Sequence, residues 1–146
     1  MVEVGEKPET VREAVARSRV NMKPETLRMI LKGDLPKGDV LGTARIAGVM
    51  GAKNCPDMIP MCHPLRLTGV EVQFELSEEE GSLEVEGIVR ARDRTGVEME
   101  AMIAVSVAAL TVYDMCKSVD KEITISSIRL IKKSGGKSGT FIREGD

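Results

Sequence analysis

Tryptophan is absent from the 146 residues, and the whole aromatic complement is one tyrosine and two phenylalanines, Tyr113, Phe74 and Phe141. Modules that grip single strands or RNA stack bases on such rings, so that class of function has little to stand on. An excess of one charge is also missing. Lys and Arg number 21 against 23 Asp and Glu, a formal charge of −2, which writes neither a nucleic-acid field nor a membrane-seeking patch. Histidine occurs once, at His63, and the cysteines are three, Cys55, Cys62 and Cys116. An odd number without a framework of spacings fits a reducing compartment better than a disulfide scaffold. The opening decapeptide MVEVGEKPET has an acid at its third position and no apolar segment, unlike a signal or transit peptide, so a cytoplasmic protein with no membrane association is expected. With 42% hydrophobic residues the chain can bury one core, read as a single domain over 1–146.

What is present centres on one apolar run, residues 97–117, with no charge between Ala101 and Tyr113 and then Asp114 and Lys117 three residues apart. It is Ala-rich, free of Gly and Pro, and short of the roughly 20 consecutive apolar residues a bilayer requires, as a core helix should be. On a helix the acid and the amine stand about 60° apart around the axis. Upstream, 10–22 alternates without a purely apolar phase and reads as extended because of its β-branched residues. Pro24 opens a helix that Gly33 ends, and Asp39 caps a second over 40–53. Period-two patterning gives a strand from Thr68 through Leu76, a charged turn, and a return strand over 82–93 in which Gly87 marks a bulge or a close approach. After the long helix, 122–131 is strand-like with a bulge near Ser126 and Ser127, and 132–140 reads as a flexible basic tail. The order strand, helix, helix, strand, strand, helix, strand is the split βαβ, ferredoxin-like pattern: an α+β fold with an antiparallel sheet and helices packed on one face.

Several residues invite chemistry, each with a plainer alternative. Arg12 and the other basic residues are either solvated charges or phosphate contacts. Lys37 precedes the second helix, where an anion is favoured, but a loop lysine in water is the simpler reading. The proline-rich segment 55–64 is a stiff, irregular connection that holds the single histidine. Cys55, Cys62, His63 and Cys116 have the right atom types for zinc, yet the first pair lacks the usual knuckle spacing, and no metal is expected. Gly136-Lys137-Ser138 is not the end of a P-loop, because Ile131 stands where that motif needs Gly and no helix can follow. Lysines and glycine amides there can still surround a polyphosphate. If the long helix is continuous, Glu100 and Asp114 are about 21 Å apart, too far to serve one reaction centre from one subunit. The helix is also apolar nearly all round and needs cover on more than its sheet side. Both facts predict an oligomer, with Glu98 and Glu100 serving a neighbour's Asp114.

The segments KGDVLGTARIAGVMGAK, IPMCHPL, TGVEMEA, AALTVYDMCK and KSGGKSG, in this order from about Glu9 to the C-terminus, strongly resemble the cyclic pyranopterin monophosphate synthase (MoaC) family of molybdenum-cofactor biosynthesis. The resemblance implies a lyase that converts 3′,8-cyclo-7,8-dihydro-GTP, made by a radical GTP cyclase, into cyclic pyranopterin monophosphate with release of pyrophosphate. It implies a hexamer built as a trimer of dimers, with sites at the dimer interface. The family's catalytic pair falls on Asp114 and Lys117. Its substrate contacts fall on Met61, Cys62 and His63 and on Met99 and Glu100, and its further basic positions on Arg12, Lys37 and Lys133. No cofactor is implied, and whether Mg²⁺ assists with the triphosphate is left open. The physical expectation beside it is acid/base work by Asp114 and Lys117, with His63 nearby and the lysine pKa brought down by burial. A noncatalytic nucleotide- or pterin-binding oligomer and a purely structural oligomer are the alternatives.

Overall fold

A computed structural model describes residues 1–146, whose elements run β1 (Thr10–Asn21), α1 (Pro24–Lys32), α2 (Val40–Lys53), α3 (Cys55–Met58), β2 (Leu67–Ser77), β3 (Ser82–Asp93), α4 (Glu98–Cys116), β4 (Thr124–Ser134) and β5 (Phe141–Ile142). The strands form one sheet in the order β2-β3-β1-β4-β5, and every neighbouring pair is antiparallel. With β1 and β3 central and the crossovers carried by helices, this is the ferredoxin-like α+β arrangement read from the element order.

Alternation along β1 explains why neither of its phases looked apolar. Ala14, Ala16, Ser18 and Val20 are buried beneath the helices. The opposite phase is held by charge pairs across strands: Glu13 to Arg90 at 2.7 Å and Arg17 to Glu86 at 2.7 Å, each with its direct register partner on β3. Arg129 of β4 adds Glu84 at 2.7 Å and Asp146 at 2.6 Å. Small residues on one face and paired ions on the other satisfy a sheet as well as simple hydrophobic alternation does.

The long helix α4 spans 19 residues, and Ala101, Ala104, Val105, Ala108, Ala109 and Val112 on it are fully buried. Its seating depends on small neighbours. A Cβ on Gly87 of β3 would lie 3.0 Å from Val105 Cγ1 and 3.3 Å from the Ala101 carbonyl oxygen, and strand register runs unbroken through Gly87 on both sides. Gly87 is therefore the close approach, not a bulge. On the other flank Gly48 of α2 faces the Ala104 carbonyl. The buried Ser18 hydroxyl donates to the Val105 carbonyl at 3.0 Å, tying β1 to the middle of the helix.

The bulge expected near Ser126 and Ser127 is present: register shifts between Arg17 and Arg19 of β1, and Ser127 has φ 55°. A second shift occurs between Val15 and Ala16. Two local expectations need correction. Residues 132–134 belong to β4, since the 12-residue β1 is long enough to pair Lys132 with Val15, Lys133 with Ala14 and Ser134 with Glu13. Within the proline-rich connection, Cys55–Met58 closes a single helical turn, with Pro56 in its tolerated first-turn position.

Helix α1 has no side-chain cap of its own. Asp120, just beyond α4, supplies one by accepting from the Lys23 amide at 3.0 Å and the Thr26 hydroxyl at 2.9 Å. Burial pushes the Asp120 carboxyl upward, but those donors and the Glu122 amide outweigh it and hold the group below its ordinary value.

The packing at Gly48 yields a prediction whose sign opposes helix propensity. Alanine for glycine inside a helix normally stabilises by about 1 kcal/mol. Here the new Cβ would sit 2.9 Å from the Ala104 carbonyl oxygen and 2.9 Å from Val72 Cγ2, and backbone cannot swing aside. Overpacking of this kind costs about 1–3 kcal/mol, so Gly48→Ala should lower the urea midpoint. A raised midpoint would contradict the packing described.

Candidate active site

The two ends of α4 carry different chemistry. At its C-terminal end Asp114 accepts from Lys37 Nζ at 2.8 Å and from Lys117 Nζ at 2.9 Å. The α1–α2 connection delivers Lys37. Gly33, at φ 73°, turns the chain out of α1, and the Asp39 side chain accepts from the Gly42 amide to start α2. Lys37 thus sits beside a helix start, as expected, but spends its charge on Asp114. All three side chains are about half exposed.

Hydrogen bonds from Lys37 and then Lys117 hold the Asp114 carboxyl down at about 2, and the Asp114 hydrogen bond raises Lys117. The expected depression of the lysine by burial is therefore not found in the single subunit. Exposure leaves desolvation too weak to oppose the ion pair.

At the N-terminal end lies a cleft of about 510 Å³ bounded by Lys7, Thr10, Arg12, Thr95, Gly96, Glu98, Lys133, Gly136, Lys137 and Ser138. Arg12 is 8% exposed and donates through Nε to the Asp93 carbonyl at 3.3 Å. The 135–136 glycines fold directly over its guanidinium; both have positive φ, and no side chain would fit at Gly136. Lys133 reaches Glu98 at 3.3 Å and Ser138 Oγ at 2.5 Å. Arg12, Lys7, Lys133 and Lys137 face one carboxylate, Glu98, so the cleft is positive. The Thr10 hydroxyl, on the wall of the cleft, is buried without a hydrogen-bond partner.

Thr95, Gly96 and Glu98 also wall an adjoining hollow of about 200 Å³ formed with Met61, Cys62, His63, Met99 and Glu100. Cleft and hollow make one trough, basic at one end and lined by sulfur, imidazole and carboxylate at the other. Glu100 is 2% exposed, and burial raises its pKa. His63 Nε2 lies 2.8 Å from the Val2 carbonyl oxygen, and the terminal amine lies 3.3 Å from Met61 Sδ, so the N-terminal segment covers this side.

The structure therefore gathers Arg12, Met61, Cys62, His63, Glu98, Met99, Glu100 and Lys133 at one end of α4 and Lys37, Asp114 and Lys117 at the other. Within one subunit His63 lies with Glu100 at the other end of the 19-residue α4 from Asp114.

A sequence profile described as the MoaC family matches residues 1–136. The chain belongs to the MoaC family. It is similar to a protein named cyclic pyranopterin monophosphate synthase from Pelotomaculum thermopropionicum, 59% identical over 146 residues, covering 100% of this chain and 86% of the relative. Proteins of the same name from a Roseiflexus species and from Thermomicrobium roseum are each 58% identical, over 99% and 100% of this chain and 91% and 88% of their own lengths. A de novo designed protein with a ferredoxin fold, solved by NMR, aligns at TM-score 0.43 with 11% identity, covering 92% of this chain and 96% of its own. The fold assignment rests on the strand order instead.

Four lining residues were not singled out from sequence. Thr10 gave no signal, since an orphaned hydroxyl exists only once the cleft is built. Lys7 precedes the first element and carried no motif. Thr95 and Gly96 lay within a motif prized for its glutamates.

The ion triad predicts a pH response. The folded Asp114 carboxyl titrates at about 2, below the unfolded value of about 3.9. Its contribution to stability is therefore full above the unfolded value and is lost as pH falls through the folded one. In a carboxylate NMR titration, the Asp114 midpoint should rise toward the ordinary value when Lys37 and Lys117 are both changed to Ala. No movement would mean that the triad does not form in solution.

Proposed function

We propose that this protein is a cyclic pyranopterin monophosphate synthase. It converts 3′,8-cyclo-7,8-dihydro-GTP, supplied by a radical GTP cyclase, to cyclic pyranopterin monophosphate and pyrophosphate in the cytoplasm. The observation that carries this is whole-chain similarity, at 59% identity, to a protein of that name, and the trough has the chemistry the reaction demands.

Pyrophosphate leaves only if its oxygens meet positive charge, and Arg12, Lys133 and Lys137 supply it beside the unpartnered Thr10 hydroxyl. Met61, Cys62, His63, Met99 and Glu100 hold the purine-derived rings. Rearranging those rings requires protons to be given and taken at several heteroatoms. Glu100, whose burial favours the neutral acid, and the Asp114–Lys117 pair are the groups for that work. No resident cofactor or metal takes part in this scheme, and any Mg²⁺ enters with the triphosphate.

The two clusters are about 21 Å apart along α4, because Glu100 and Asp114 are separated by 14 helical positions at about 1.5 Å each. One reaction centre thus combines the trough of one subunit with the Lys37–Asp114–Lys117 cluster of a neighbour. The apolar outer residues Ile46, Met50 and Leu110 of α2 and α4, exposed at 67%, 46% and 59%, are the surface available for such contact. We assign the assembly as a homohexamer, a trimer of dimers. Burial of Asp114 and Lys117 under the neighbour removes the water that keeps them an unreactive ion pair, which the isolated subunit does not do.

Incubation with 3′,8-cyclo-7,8-dihydro-GTP should release one pyrophosphate per substrate. Asp114→Asn should lower turnover by about 10²- to 10⁴-fold without dissociating the oligomer. Substrate recovered unchanged from the wild-type protein would favour the noncatalytic binding oligomer. Full turnover in a folded Asp114→Asn protein would overturn the catalytic assignment.

A further inference from the structure

Cys55, Cys62 and Glu100 converge from three parts of the chain: the first residue of α3, the loop that follows it, and the first turn of α4. Their ligand atoms all lie within 4.8 Å of one another, with Cys55 Sγ to Cys62 Sγ at 3.8 Å and Cys62 Sγ to Glu100 Oε1 at 4.0 Å. A tetrahedral zinc with bonds of about 2.3 Å to sulfur and about 2.0 Å to oxygen places its sulfurs about 3.8 Å apart and sulfur about 3.5 Å from oxygen. The sulfur spacing already fits, and the carboxylate oxygen stands about half an ångström beyond the ideal separation from the Cys62 sulfur.

The carboxylate itself points to a missing cation. Glu100 is 2% exposed, and no lysine, arginine or histidine pairs with it; its side-chain partner is the Cys62 thiol. A buried carboxyl in that position is stabilised by staying protonated or by meeting a metal. Cys55 is fully buried, whereas Cys62 is half-buried and opens on the hollow beside Glu98 and Met99, which gives an entering ion a path and leaves a fourth coordination position open.

We propose that Cys55, Cys62 and Glu100 form a binding site for a thiophilic divalent cation of the zinc class. Binding replaces the two thiol protons and the carboxyl proton that burial favours on Glu100 with two metal–sulfur bonds and one metal–oxygen bond, and releases the displaced protons to solvent. The sequence, from which no metal was expected, offered zinc-type atoms in a different set, Cys55, Cys62, His63 and Cys116. Cys116 lies at the opposite end of α4 from Glu100, and His63 turns to the Val2 carbonyl, so neither takes part. Glu100 replaces them. Because Cys62 and Glu100 also line the hollow assigned to the substrate rings, metal occupancy shuts substrate out; this consequence, unlike the site, rests on the proposed function.

The test uses the reduced, metal-free oligomer titrated with Co²⁺ in the absence of substrate. Thiolate-to-cobalt charge-transfer absorption should saturate at one cobalt per subunit and vanish on adding Zn²⁺. Cys55→Ala should abolish the absorption while the metal-free variant turns over substrate at the wild-type rate and escapes inhibition by Zn²⁺. Cys62→Ser, read by cobalt absorption alone, covers the case of a Cys55 variant that fails to fold. Absence of the charge-transfer band, or a band unchanged in these variants, would overturn the site. A band with wild-type turnover in saturating Zn²⁺ would support the site and displace the substrate from Cys62.

Discussion

Everything in this subunit depends on how closely α4 can be approached. Glycine and alanine occupy the contact on both flanks: Gly87 of β3 lies under Ala101 and Val105, and Gly48 and Gly51 of α2 lie against Ala104, Val107 and Ile103. A side chain at Gly87 would lift α4 off the sheet, and side chains at Gly48 or Gly51 would force α2 away from it. Seated as it is, and pinned by the Ser18 hydroxyl at Val105, α4 is a rigid rod whose length sets the distance between two groups of reactive side chains.

Those groups differ in electrostatic character. At the C-terminal end, Asp114 is flanked by two lysines in water, so both signs of charge are held firmly in their ionised forms. At the N-terminal end, charge is segregated: cations gather around the cleft, while Glu100 is buried without one. Proton transfer needs groups whose two protonation states are close in energy. Glu100 moves toward that condition through burial, with the nearby Glu98 charge adding to it, but Asp114 and Lys117 are driven away from it by each other. A neighbouring subunit that covers the pair changes the balance, because desolvation penalises both charges at once. The proposed oligomerisation would bring the half-sites together and also alter the acidity of one of them.

Much of this was legible in the sequence because local rules and the fold agree. The period-two strands of the hairpin, the Pro24 and Asp39 helix starts, the Gly33 stop and the uncharged interior of α4 each point to the element that forms. The sequence also located Asp114 and Lys117 on one face at a helix end. It could not reveal that Lys37, 77 residues from Asp114 in the chain, completes that cluster, since only the fold of the α1–α2 connection brings it there. The extent of β4 was missed for a related reason: Lys132-Lys133-Ser134 looks like a solvated tail until β1 offers partners along its whole length. The sequence singled out Glu100 as a site acid but did not show its burial. Its burial beside two thiols depends on α3 and the following loop folding back over the start of α4.

Mixed oligomers test the central claim, that each reaction centre joins the trough of one subunit to the Asp114 cluster of another. Glu100→Gln and Asp114→Asn subunits, each inactive alone, would be co-assembled and assayed for pyrophosphate release from 3′,8-cyclo-7,8-dihydro-GTP. With reciprocally shared sites in a two-fold dimer and random mixing, about one quarter of the sites regain both native residues, and activity should return to about that fraction of wild type. Activity that stays at the level of the separate variants in verified mixed oligomers would contradict the account.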